Sequence, residues 1–171
     1  MRKISWLLPF LLGAGAFVRP SLAGEQSIEF TPQNGFSGES EGRGLLKLFL
    51  SKPQPFQVKS TGVAQGDGTF RLDQTITFRG EAPKKRFWIL SRTSHNRYSA
   101  TLSDAAGPVH AVTSGSHLSL DYRVTGPLVM HQELELSADA RTIDNDGVIT
   151  LLGIPVGHLH ETITRKSSDT R

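Results

Sequence analysis

Leu118-Ser119-Leu120-Asp121-Tyr122-Arg123-Val124-Thr125-Gly126-Pro127-Leu128-Val129-Met130-His131-Gln132-Glu133-Leu134-Glu135-Leu136 is the stretch whose reading decides the fold. Leu118, Leu120, Tyr122 and Val124 alternate with Ser119, Asp121, Arg123 and Thr125. After Gly126-Pro127, Leu128, Met130, Leu134 and Leu136 alternate with His131, Glu133 and Glu135. Side chains of a strand point to opposite faces in turn, so each half reads as an antiparallel strand with one buried side. Gly and Pro between them preset the bend that joins the pair.

The same grammar extends in both directions. In Thr69 to Phe78, Phe70, Leu72, Ile76 and Phe78 share one face, opposite Arg71, Asp73, Thr75 and Thr77. Turn residues recur at Gly66-Asp67-Gly68, Gly80-Glu81-Ala82-Pro83, Ser94-His95-Asn96, Ala106-Gly107-Pro108, Ser114-Gly115-Ser116 and Asp146-Gly147. Pro53 and Pro55 mark a further corner. About ten strands are predicted, over 40–51, 54–64, 69–79, 85–93, 97–104, 108–114, 117–125, 127–137, 140–151 and 155–166. Sequential strands joined by short turns make an up-and-down meander, and closure into an all-β antiparallel barrel removes its exposed edges. Leu45-Leu46-Lys47-Leu48-Phe49-Leu50 is expected to be a strand buried on both faces, a short helix closing the barrel mouth being the alternative. Residues 24–33 read as polar and extended, and 167–171 as a flexible tail, so a single barrel domain spans 24–166.

The first 23 residues have the composition of an export signal. Arg2 and Lys3 give a positive start, Trp6 to Val18 is apolar, and Ser21-Leu22-Ala23 offers small residues for cleavage after Ala23. The apolar run contains Pro9 and two glycines and falls short of the ~20 residues that span a bilayer, so cleavage is favoured over an uncleaved anchor. With no cysteine in the chain a lipid-modified N-terminus is excluded, as are thiolate metal sites and Cys nucleophiles. The expected address is the periplasm, with no transmembrane span after cleavage and peripheral contact with envelope membranes open.

Removing the signal changes the charge. Of 19 basic and 16 acidic residues, Arg2, Lys3 and Arg19 but no acid lie in residues 1–23, which leaves 16 of each. A balanced domain lacks the cationic surplus that phosphate binding needs, and nucleic acid is excluded as a partner.

Arg86-Phe87-Trp88-Ile89, Tyr98-Ser99-Ala100, Asp104-Ala105-Ala106-Gly107-Pro108-Val109, Tyr122 and Gly153-Ile154-Pro155-Val156-Gly157, with Phe36-Ser37-Gly38 and Gly42-Arg43-Gly44, carry a family resemblance. The chain resembles the bacterial envelope proteins grouped as domain of unknown function 3833 (DUF3833) over about residues 30–166. Two features depart from that family: no lipid-anchor Cys is present, and Gln132-Glu133-Leu134-Glu135 stands where an acidic-Trp segment is common. The resemblance implies a lipocalin-like β-barrel with no established activity.

Catalytic signatures do not emerge. Gly35-Phe36-Ser37-Gly38 lacks the spacing of a nucleophile elbow, and no phosphate loop or dinucleotide fingerprint occurs. No catalytic residue and no cofactor is assigned. His158 and His160, two apart on a strand, could grip one metal ion with His131 or Glu133 as a third ligand. The plainer account is a pair of exposed imidazoles beside the core-facing Leu159 and Ile163.

Interior aromatics are more informative. Trp88 and Tyr98 lie on strands paired by the Ser94–Asn96 hairpin, Tyr122 lies further along, and Phe70, Phe78, Phe87 and Met130 join them. A barrel of eight to ten strands is wide enough to be filled by side chains or to hold one small ligand. The leading expectation is a lipocalin-like protein that binds a hydrophobic or lipid-like small molecule. Its lining would be Phe70, Phe78, Trp88, Tyr98, Tyr122 and Met130, with Arg86 and Arg123 at the mouth to meet a carboxylate. A filled barrel acting as an envelope scaffold is the second reading, and a barrel enzyme acting on lipids the third.

Overall fold

A computed structural model describes residues 28–167. Within it, α1 (Pro32–Phe36) precedes ten strands: β1 (Gly38–Leu48), β2 (Gln54–Ala64), β3 (Phe70–Phe78), β4 (Lys84–Ser94), β5 (Arg97–Leu102), β6 (Val109–Ser114), β7 (His117–Thr125), β8 (Leu128–Leu136), β9 (Thr142–Leu151) and β10 (Ile154–Arg165). Each strand pairs antiparallel with the next, and β1 pairs with β10, closing the barrel. The seam runs from Ser40 opposite Arg165 to Leu48 opposite Gly157. The export signal predicted for residues 1–23 lies outside the described residues. No helix among the described residues is long and apolar enough to cross a membrane, which says nothing of spanning by strands.

The alternation read from the sequence is the alternation found. Leu118, Leu120 and Tyr122 of β7 and Met130, Leu134 and Leu136 of β8 are buried, while Asp121, His131, Glu133 and Glu135 face water. Burying each large apolar side chain contributes roughly 1.5–3 kcal/mol, so a strand slipped by one residue forfeits its whole inner face.

The two ends of the barrel differ. The 65–69, 95–96, 115–116 and 137–141 links lie at one end, and α1 plugs it. Thr31 caps the helix by accepting from the Asn34 N–H (3.0 Å), and Pro32 stands at its first position, where a missing N–H costs nothing. Phe30 is wholly buried, donates its N–H to the Gly115 carbonyl (2.7 Å) and meets Phe36 edge-on at 5.5 Å. At the opposite, open end lie the 49–53, 79–83, 103–108, 126–127 and 152–153 links.

Three local expectations need correction. Residues 32–33 belong to a helix rather than an extended segment, because five residues are too few to show helical periodicity. Asp146-Gly147 is no turn but mid-β9, where Gly147 leaves room for the Met130 sulfur and Leu159. Leu45 to Leu50 is not buried on both faces: Leu45 and Leu48 are exposed on β1, and Phe49 and Leu50 stand in the turn beyond it. A closing helix exists, but at the other end.

Candidate functional site

Polar side chains interrupt the inner lining at mid-height. Gln74 follows Leu72 on the inner face of β3, Gln132 lies between Met130 and Leu134 on β8, and Asn145 follows Ile143 on β9. Glu161 stands between Leu159 and Ile163 on β10, and Arg86 two residues before Trp88 on β4. Strand parity turns each inward, so each must find partners inside or remain unpaired.

Two hydrogen-bonded chains result. In one, the Tyr122 hydroxyl donates to Gln132 Oε1 (2.9 Å), Gln132 Nε2 to Asn145 Oδ1 (3.0 Å), and Asn145 Nδ2 to Glu161 Oε2 (3.0 Å). In the other, Arg86 Nε and Trp88 Nε1 both donate to Gln74 Oε1 at 2.8 Å, and Gln74 Nε2 donates to Ser60 Oγ (3.3 Å). Trp88 joins the two by meeting Tyr122 at 89° and 5.5 Å between centroids, with the Arg86 guanidinium 5.6 Å from the Trp88 ring. The result is a polar belt across a mostly apolar barrel.

The belt is electrostatically uneven. Glu161 is 6% exposed, and its Oε1 has no hydrogen-bond partner. Burial pushes its carboxyl above the usual range, against smaller downward pulls from the Asn145 hydrogen bond and from Arg86. Burial likewise raises the Tyr122 phenol, opposed chiefly by the Arg86 charge. A cavity of about 40 Å³ lies along the belt, lined by Gln74, Arg86, Trp88, Gln132, Asn145, Glu161 and apolar neighbours. It has room for a few water molecules, against the ~300–1,000 Å³ of a typical small-molecule site.

Towards the open end the inner face changes character. Leu46, Ile76, Phe78, Val124, Leu128 and Leu159 occupy inward positions yet are only partly buried, so the barrel has a packed base and an apolar upper wall that water still reaches in part. Phe78 packs on Phe56 there, ring centroids 5.6 Å apart.

The residues singled out from the sequence separate accordingly. Arg86, Trp88 and Tyr122 come together at the belt, Met130 faces Tyr122 across the β7–β8 pair, and Phe78 lies in the upper wall. Phe70 and Tyr98 lie at the plugged end beside Thr31 and Pro32, away from the mouth. Arg123 does not line the interior: next in sequence to the inward Tyr122, it is forced outward and is exposed. His158 and His160 also face outward, as the plainer account had it. His160 Nδ1 is 2.7 Å from Asp146, while His131 lies between Asp121 (2.7 Å) and Glu133 (2.9 Å). Among the described residues no three His, Asp or Glu side chains are grouped to hold a metal. The pair therefore lacks the third ligand the metal reading needed. Gln74, Gln132 and Asn145 lie outside the residues given a role from the sequence, and Glu161 figures there only as the end of the His158-Leu159-His160-Glu161 run, although Gln74, Gln132 and Glu161 occupy the apolar parity positions of segments read as strands.

The DUF3833 family profile, described only as a protein of unknown function, matches residues 10–165, nearly the whole chain. The chain belongs to the DUF3833 family. No curated protein matches it. Among solved structures, this DUF3833 barrel is similar to the S-type phycobiliprotein lyase of Guillardia theta, with a TM-score of 0.65 and 8% identity over 81% of this chain and 92% of that one. It is also similar to a DUF3598-family protein of unknown function from Nostoc punctiforme, with a TM-score of 0.61 and 14% identity. That match covers 84% of this chain and 53% of the other. At such identities the likeness shows a shared lipocalin-like barrel fold.

Proposed function

We propose that this protein is exported and binds one small amphipathic or lipid-like molecule in the open half of its barrel. The apolar part would rest on Ile76, Phe78, Leu128 and Leu159, and an anionic head on Arg86. The observation that carries this reading is the position of Arg86, a cation inside the barrel, held through Nε by Gln74, below an apolar wall that water still reaches. A guanidinium so placed is shaped for a carboxylate.

Native mass spectrometry of protein purified from its own envelope, followed by lipid extraction, tests the reading, with oleic acid as the added probe. One bound molecule per chain is expected. Arg86→Leu should weaken oleate binding roughly ten- to a hundred-fold, the worth of one charge-assisted hydrogen bond or two. An empty barrel that takes up no fatty acid sinks the reading. Export is supported by the composition of residues 1–23, and N-terminal sequencing of the periplasmic form should begin at Gly24.

The 40 Å³ cavity favours a second reading, a filled barrel that serves as an envelope scaffold. Pull-down from membranes that yields no partner would count against it.

A further inference from the structure

Two adjoining turns at the open end present apolar side chains to water. Leu50 is 92% exposed and Phe49 73% in the β1–β2 link, and Leu152 is 83% and Ile154 67% exposed at the β9–β10 hairpin. The two turns are neighbours because β1 and β10 close the barrel, and the Phe49 N–H donates to the Val156 carbonyl (2.7 Å).

Both leucines stand where leucine is the wrong residue for the backbone. Leu50 has φ 58° at the third position of a turn closed by Ser51 N–H to the Leu48 carbonyl (3.0 Å). Leu152 has φ 51° and Gly153 φ 82° in a two-residue hairpin link whose favoured first residue is Asn. A left-handed conformation is costly for leucine, and side chains this exposed recover nothing inside the protein. Backbone strain carried for an outward apolar tip points to a partner outside the chain.

Charge says which partner. Lys47, Lys52, Arg79, Lys84 and Lys85 are exposed around the same end, against Glu81, which pairs with Lys84, and Asp104. The plugged end mixes Glu29, Glu39, Asp67, Glu135 and Asp139 with Arg97, Arg141, Arg165 and Lys166. Apolar tips ringed by cations suit the interface of an anionic bilayer, where the tips enter the headgroup region and the collar meets the lipid charge.

We propose that Phe49, Leu50, Leu152 and Ile154 dock the open end of the barrel on an anionic membrane surface. The docking stands whether or not the barrel holds a ligand. Co-sedimentation of the purified protein with phosphatidylethanolamine–phosphatidylglycerol vesicles tests it, with phosphatidylcholine vesicles as the neutral comparison. The protein should partition to the anionic vesicles at least ten-fold more strongly, and added salt should weaken that binding. Leu50→Asn with Leu152→Asn should lower partitioning at least ten-fold while the melting temperature holds or rises, since Asn suits both turns. Absence of the wild-type protein from anionic vesicles overturns the proposal, as does equal partitioning of the double variant. A dimer in sedimentation velocity that the double variant abolishes, with no vesicle binding, overturns it in favour of self-association.

Discussion

Glu161 is a carboxyl group with one oxygen bonded to Asn145 and the other bonded to nothing, inside a barrel. Because burial raises its folded pKa, the folded state holds its proton more tightly than the unfolded chain does. Its contribution to stability is therefore fully present below the ordinary carboxylate value and lost as pH rises towards the raised folded value. Glu161→Gln should raise the urea midpoint at pH 8 and change it little at pH 4. Equal shifts at both would mean that the carboxyl is not perturbed. This group was legible in the sequence. Glu161 lies between Leu159 and Ile163, as Gln74 lies between Leu72 and Ile76, and an inward parity position holding a polar residue is the mark of an internal network. The same parity disqualifies Arg123, which cannot face inward beside Tyr122.

At the scale of elements, the strands followed from alternation and turn residues, and their bounds agree with the expected ones to within a few positions. What the period could not reveal is α1, which is held by local capping and by docking on β2. A Cβ on Gly62 would collide with the Phe36 carbonyl oxygen and crowd the Phe70 ring (2.8 Å), so the plug rests directly on bare backbone. Gly62→Ala should cost about 1–3 kcal/mol, the range for overpacking a close-fitted site, read as a lower denaturant midpoint. Ala placed instead at Gly66, where a Cβ would meet nothing within 4 Å, should shift the midpoint far less. The size of the cavity and the pairing of the belt's side chains depend on several strands at once, information that no single strand's pattern contains.

For the whole molecule, two sets of groups pull the pH dependence in opposite directions. Asp121 holds His131, and Asp146 holds His160, above the usual imidazole value. Their stabilisation is present below about pH 6.5 and is lost as pH rises through the raised values. Backbone and side-chain hydrogen bonds from Thr69 to Asp67, the Arg71 hydrogen bond to Asp73, and that of Ser137 to Asp139 hold those carboxyls below theirs. That stabilisation is present above about pH 3.8 and is lost as pH falls through the lowered values. With Glu161 also favouring the acid side, urea midpoints against pH should peak in the mildly acidic range. A peak above pH 8 would contradict these assignments.

The seam between β1 and β10 has a consequence for the order of synthesis. β1 finds β2 as soon as a hairpin has left the ribosome, but its other edge waits for the last strand to be translated. The Ser40–Arg165 pairing joins the first and last strands of the barrel. A nascent chain that stops before Ile154 therefore has no closed barrel, and it should be cut by protease in ribosome-stalled complexes where the finished chain resists. Closure of the barrel is thereby postponed until β10, the strand that supplies the second edge of the seam, has been made.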